Sequence, residues 1–420
     1  MKFEKEENKY NEYKGLYKEV IKYIDENKDE LLEDDRVKYT RYLLNNNANV
    51  YSITCNANSR YLEEKNEYLK KLGLGDIELK NIDFDVVIID EVSKANGVEL
   101  LIPILYGKSI ILVGDHRQLP PLFKYKEKMF SDASDKEMLS KYETLVENSM
   151  FKDLFKKARY NKYMLVNQYR SHEQIMDVVN IFYDDKLKLG NLKEQNEAKR
   201  HYLNVSSNSY SLFEENIHTY WFNSHYDVNR NVSYERKKKR GSVVSTSFYN
   251  EEEIYLTKEI LKSLDRGYKE LIDDGVLKEA CSVGVISLYG DQVSELKKEV
   301  GKMKFEALNF NKNKVSTVDE FQGKEEDIII VNFVRNNPLF EAGDFVKKFE
   351  RINVALSRAR KMLIIVGSKP FFTSLKIRME SMDDNTSVSV RKIYKEIYDR
   401  VVGKIDEPNS YFSEVINYED

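Results

Sequence analysis

Between residues 84 and 121 the chain reads FDVVIIDEVSKANGVELLIPILYGKSIILVGDHRQLPP. Two short β-branched runs lie in this stretch, and each stops on acid. Residues 84–89 run into Asp90 and Glu91, and residues 110–113 run into Gly114 and Asp115. Runs of this kind read as buried parallel strands, whose carboxyl ends are where α/β sheets place their chemistry. A carboxylate pair at a strand end has two readings. It caps the next turn, or it holds a divalent cation and orients an attacking water. Parallel strands need helical crossovers and neighbours, so this one stretch already commits the chain to an α/β architecture.

The rest of the chain supplies that architecture. Residues 1–44 are charged with helical periodicity, 50–55 read as a strand, and 65–72 as a short helix ended by Gly73 and Gly75. A helix is expected around 97–105 between the two acid-tipped strands. Residues 124–160 are charged and mainly helical, and a helix follows from about 173 to 183. The segment 184–245 carries one strand, 217–222, and the basic run Arg236-Lys237-Lys238-Lys239-Arg240. That run reads as a solvated loop or, otherwise, as a phosphate-contacting one. The α/β rhythm then returns: helix 251–264, strand 282–288, helix 291–298, strand 315–318, strand 328–334, helix 352–360, strand 362–366. The tail from about 371 reads as helical, with Val390, Ile393, Tyr394, Ile397 and Val401 at core spacing. The expected division is a charged helical segment (1–45), a partial first domain (46–163), a second domain (164–370) and a C-terminal helical tail (371–420).

Composition excludes several classes. With 41% hydrophobic and 33% charged residues the 420-residue chain is globular in type, with length for two or three domains. Its net charge of -4 gives no overall basic field, so any nucleic-acid contact has to come from local patches. Two cysteines, Cys55 and Cys281, cannot build a disulfide framework. Five scattered histidines offer no zinc spacing. No apolar run reaches membrane-spanning length and no signal-peptide core is visible, so the expectation is a cytoplasmic protein without a membrane partner.

Six signals stand in order along the chain: Asp90-Glu91-Val92-Ser93, GDHRQLPP at 114–121, Gln168-Tyr169-Arg170, GVISLY at 284–289, TVDEFQGKEED at 317–327, and RINVALSRAR at 351–360. In this order the chain resembles the superfamily 1 helicases, in the branch of the nonsense-mediated-decay RNA helicase and related DNA helicases. The resemblance covers about residues 50–370. It implies two RecA-like domains with parallel sheets, the first incomplete at its N-terminus, with ATP and Mg²⁺ in the cleft between them. It also implies ATP hydrolysis coupled to movement along single-stranded DNA or RNA. By the same resemblance Asp90 binds Mg²⁺ through water and Glu91 polarises the attacking water. Gln118 senses the γ-phosphate, and Arg170 and Arg358 act as arginine fingers, a role suited to a permanently charged fork. Tyr169 stacks on adenine, Glu325 lies near the ribose, and Gly323 is counted with them on the nucleotide side. Thr317 contacts a strand phosphate, and Ser52, Thr54 and Tyr289 have weaker claims on the strand.

One part of the pattern is missing. No GxxxxGK[ST] phosphate loop occurs among the 420 residues; Gly73-Leu74-Gly75 lacks both the lysine and the spacing. Smaller departures are Val92, where the family has Ala, and Ser171-His172-Glu173, where it has Met-His-Pro. The expectation is therefore a helicase polypeptide that is incomplete, or that works with a second polypeptide supplying the loop. The alternative is a non-catalytic nucleic-acid- or protein-binding module built on a helicase remnant.

Overall fold

The structure is a computed structural model and describes residues 50, 52, 84–121, 150–158, 160–207, 210–241, 243–382 and 387–402. The helices expected in 1–44 and 65–72, most of the 50–55 strand with Thr54 and Cys55, and most of 124–149 lie outside the described residues. The chain divides into two compact units, Met1–Val113 and Gly114–Asp420.

In the first unit, β1 (Phe84–Ile89) and β2 (Gly107–Leu112) pair in parallel, with Val86 opposite Ser109 and Ile88 opposite Ile111. The crossover is helix α1 (Gly97–Ile104). Asn96 starts it through reciprocal bonds: its Oδ1 accepts from Glu99 N at 2.9 Å, and Glu99 Oε2 accepts from Asn96 N at 3.0 Å. These satisfy two backbone donors that a helix start would leave open. Burial is incomplete: Val86 is 49% exposed, Ile88 64% and Ile111 49%.

The second unit is built on a six-stranded, all-parallel sheet. Its strands are β3 (Thr219–Phe222), β4 (Cys281–Ser287), β5 (Leu308–Asn309), β6 (Val315–Thr317), β7 (Glu326–Asn332) and β8 (Ala359–Val366). Across the sheet the order is β5 or β6, then β4, β7, β8 and β3; β5 and β6 share one edge of β4. Alternate residues of β7 enter two cores. Ile329 and Val331 face one with Ile286, Leu363 and Ile365, and Ile328 and Ile330 face the other with Val283, Val285 and Ile364. The first core takes α2 (Glu173–Asn180), α6 (Phe349–Leu356) and α8 (Ile393–Val402). The second takes α3 (Glu251–Asp273) and α4 (Gly290–Val300). A sheet covered on both faces is why its strands read as unbroken apolar runs rather than alternating ones.

Several details differ from the sequence reading. The segment 184–245 carries further short strands, among them Val205–Ser207 and Tyr210–Phe213, and α2 stops at Asn180. Helix α3 continues to Asp273 instead of stopping near 264. Its internal Gly267 is a close-approach position, where a Cβ would lie 2.6 Å from Val205 Cγ2. Helix α6 ends at Leu356, so Arg358 stands in the turn before β8 and not on a helix. The tail is only partly helical: α7 (Lys369–Ser374) is followed by an antiparallel pair, β9 (Ile377–Glu380) with β10 (Val388–Arg391), before α8. Val390 sits on β10 and is exposed, whereas Ile393, Tyr394, Ile397 and Val401 are core residues.

Candidate active site

In the first unit, Asp90 and Glu91 follow β1 directly and both are exposed. Glu91 has φ 54°, a left-handed backbone that costs an L-residue about 1–2 kcal/mol. Asp90 Oδ1 accepts from Glu91 N at 2.8 Å, and Glu91 pairs with Lys94 at 3.4 Å. The turn is thus pinned by its own carboxylate. Among the described residues no group of three or more His, Cys, Asp or Glu is set to hold a metal. A Mg²⁺ held here would depend on water and phosphate oxygens, which is the usual Mg²⁺ arrangement on a nucleotide.

In the second unit, Gln118 is held at both ends of its amide. Its Nε2 donates to Asp115 Oδ2 at 2.9 Å, and its Oε1 accepts from Arg358 Nη2 at 2.9 Å. Arg358 is 2% exposed, and its Nε donates to Val354 O, the last full turn of α6, at 3.0 Å. Asp115 also accepts from Tyr183 OH at 2.5 Å, and Asn353 Nδ2 donates to both Tyr183 OH (2.9 Å) and Arg117 O (3.0 Å). Burial, reinforced by the Asp115 charge, holds the Tyr183 phenol well above its ordinary pKa, so it stays a proton donor.

A second cluster adjoins this one through the chain itself. Gln168 Oε1 accepts from the backbone N–H groups of Arg170 (2.9 Å) and Ser171 (3.0 Å), which fixes the turn that projects Arg170. Arg170 Nε donates to Glu325 Oε2 at 2.7 Å, and its Nη1 donates to Ser357 O at 3.3 Å. Glu325 is shared with Arg360 at 3.5 Å, and Arg360 also pairs with Asp327 at 3.0 Å. Tyr169 is 66% exposed, and its ring lies over Gly190: a Cβ at 190 would fall 1.8 Å from Tyr169 Cε1. Gly323 turns the chain ahead of β7 with φ +81°.

The structure therefore joins Gln118, Arg170, Glu325 and Arg358 in one series of contacts and sets Tyr169 beside them in sequence. It leaves the proposed strand contacts elsewhere. Thr317 caps the short helix α5 (Val318–Phe321) in a reciprocal capping box with Glu320. Tyr289 is buried, with its ring against Phe248 and its hydroxyl receiving Arg335 Nη1 at 3.4 Å. Ser52 is exposed and Thr54 lies outside the described residues. The basic run at 236–240 is largely exposed, as a solvated segment, and has local partners. Arg236 bonds Glu251, Lys238 pairs with Glu295, Lys237 sits over the Phe248 ring, and Lys239–Arg240 forms a small antiparallel pair with Val243–Val244. Sequence reasoning missed Tyr183 and Asn353. Asn353 lay within RINVALSRAR and was available there, whereas nothing distinguished Tyr183 among 29 tyrosines.

A doubly covered parallel sheet with glutamine, acid and arginine gathered at its strand ends defines a RecA-like domain. Residues 146–370 match the AAA_12 family model and residues 71–126 match AAA_11, each described as an AAA domain. The chain belongs to this AAA domain family and, within it, to the superfamily 1 helicases of the branch that the six motifs indicate.

Among its relatives is the DNA polymerase alpha-associated DNA helicase A of Saccharomyces cerevisiae, 32% identical over 68% of this chain and 38% of that protein. The uncharacterized ATP-dependent helicase MJ0104 of Methanocaldococcus jannaschii is 32% identical over 72% of this chain and 38% of its own length. Helicase SEN1 of Saccharomyces cerevisiae is 28% identical over 87% of this chain and 14% of its own length. The chain thus spans well under half of each of these proteins. Solved structures superpose more loosely: the Arterivirus nonstructural protein 10 helicase in complex with DNA is 12% identical, with a TM-score of 0.30 over 68% of this chain and 40% of that one.

Proposed function

We propose that the chain is the working part of a nucleic-acid-dependent ATPase, coupling ATP hydrolysis to movement along a single strand of DNA or RNA. The observation that carries this reading is the series from Arg170 through Glu325 and Ser357 to Arg358 and Gln118. Four distant stretches of sequence are linked there, contributing two guanidinium groups, an amide and a carboxylate. Such a set is complementary to the charge that develops on a transferred phosphoryl group.

The donor chemistry fits the terminal-phosphate end of a nucleotide. Gln118, Arg170 and Arg358 would face that phosphate, Tyr169 would take the base, and Glu325 with Gly323 would border the ribose. Asp90 would hold Mg²⁺ through water, and Glu91 would orient the attacking water. The donors for the inner phosphates do not occur as a GxxxxGK[ST] loop among the 420 residues. In the arrangement observed, Arg170 is engaged with Glu325, so reaching a phosphate requires that ion pair to open.

The test is Mg²⁺-ATP turnover by the purified chain, with and without single-stranded DNA and RNA, beside Arg358→Ala and Glu91→Gln. Strand-stimulated turnover lost in both variants supports the assignment. Near-normal turnover in both variants overturns it. No turnover, together with strand binding indifferent to an ATP analogue, favours the binding-module reading instead.

A further inference from the structure

The chain just past β9 reaches the candidate site at one remove. It lies beyond residues 146–370, which match the AAA_12 model. Met382 makes two contacts there. Its backbone N–H donates to Asp184 Oδ2 at 2.7 Å, and its Sδ accepts from Arg117 Nε at 3.1 Å. Asp184 and Arg117 are the chain neighbours of Tyr183 and Gln118. Tyr183 holds Asp115, and Gln118 is held between Asp115 and Arg358. The hairpin itself is anchored from the other side. Glu380 of β9 pairs with Lys152 and Lys156 at 3.2 Å each, both on the helix Met150–Lys157.

Both neighbours need outside support. Asp184 and Asp185 are left-handed in succession, with φ 49° and 58°. Aspartate visits this region as a single residue, and a pair persists only where its surroundings over-determine it. Here the tail does so. Asp184 Oδ2 accepts from Met382 N and from Ser381 Oγ at 3.4 Å, and Asp185 accepts from both Nη atoms of Arg400 in α8, at 2.8 and 3.1 Å. Arg117 is buried, with its guanidinium 5.1 Å from the Phe349 ring centroid. Its Nη2 is buried without a hydrogen-bond partner among the described residues, so the Met382 sulfur and the Phe349 ring matter more to its placement.

We propose that Met382 and Asp184 are positioning residues for the candidate site: the tail holds Asp184 and Arg117, and through them the Tyr183–Asp115 and Gln118–Arg358 contacts. The geometry of Gln118 is then set in part from outside the matched domain, and displacing the hairpin loosens it. What that geometry serves rests on the ATPase reading above. The backbone reports the effect directly. The N–H groups of Arg117 and Gln118 both donate to Asp115, to Oδ1 at 2.9 Å and to the carbonyl at 3.0 Å, so their exchange with solvent follows how firmly Asp115 is held.

Hydrogen–deuterium exchange of the full chain, followed by mass spectrometry on peptides covering 114–121, 181–187 and 328–332, tests it. Asp184→Ala speeds exchange about tenfold in the first two peptides and leaves the third, in β7, unchanged. Asp184→Asn keeps an oxygen acceptor and tolerates a positive φ, so it restores the wild-type rate. Met382→Leu keeps the volume but loses the sulfur acceptor, and it speeds exchange at 114–121 by a smaller factor. An equal rise in β7 makes the role of Asp184 a general structural one and overturns the proposal. Wild-type exchange at 114–121 in both Asp184→Ala and Met382→Leu overturns it as well. The expected pattern in a chain that turns over no ATP counts against the ATPase reading alone.

Discussion

β1 of the first unit (FDVVII) and β7 of the second (EDIIIVN) carry the same kind of sequence, yet they sit in different surroundings. Ile328, Ile329, Ile330 and Val331 are fully buried, whereas Ile88 is 64% exposed and Val86 49%. An apolar run thus reports what a strand requires, not what covers it. Burial of a β-branched side chain contributes about 1.5–3 kcal/mol relative to leaving it in water. β7 collects that several times over, and β1 collects part of it.

The sharpest way to break this contrast is truncation. Ile330→Ala should destabilise the second unit by about 2–5 kcal/mol, through lost burial and the cavity left behind. Urea unfolding followed by the single tryptophan, Trp221 in β3, reads it. Ile88→Ala should cost well under half of that, read as hydrogen exchange at the β1 amides. Equal costs would mean that β1 is as well covered as β7.

Added volume makes a smaller, parallel test. A Cβ at Gly284 would lie 2.7 Å from Phe321 Cζ and 3.0 Å from Ile329 Cδ1, both buried. A Cβ at Gly107 would lie 2.7 Å from Ile110 Cδ1 and 2.8 Å from Val87 Cγ2, both only partly buried. Gly284→Ala should therefore cost about 1–3 kcal/mol, and Gly107→Ala much less, because its neighbours have room to turn. The same pair of measurements separates them.

The last test is in pH. Burial pushes the Glu253 carboxyl up to about 8. A carboxyl raised in the folded state binds its proton more tightly there, so its stabilisation is complete below the ordinary carboxylate range. It is lost as pH rises through about 8. The second unit's melting temperature should fall from mildly acidic to alkaline pH, and Glu253→Gln should flatten that fall. An unchanged slope would assign the pH dependence to other groups.

Much of the second unit was readable because continuous apolar runs such as 328–331 have few other places to go. Where reading failed, a local preference met a tertiary contact. The helix read as 251–264 runs on through Gly267, which packs so close to Leu203 and Val205 that a side chain there would clash. Ser357 to Arg360 looks helical, but β8 begins at Ala359 because Ala359 pairs with Glu326. Val390 shares the spacing of Ile393 and Ile397 but lies on a strand beyond the reach of a period of 3.6. In the site, the family resemblance pointed to Gln118, Arg170, Glu325 and Arg358; Gln118 bonds Arg358, and Arg170 bonds Glu325 and the backbone beside Arg358. Their support was less visible: Tyr183 acts through Asp115 and Asn353, across sequence gaps that no motif spans.

Arg170 donates to the carbonyl of Ser357, and the next residue is Arg358. The two arginines are far apart in sequence, yet the side chain of one bonds the backbone next to the other. Arg170 thus rests on the backbone that carries Arg358, so displacing that turn would disturb both. The loss from removing both should fall short of the sum of the two single losses, and the shortfall is the coupling energy between the two positions.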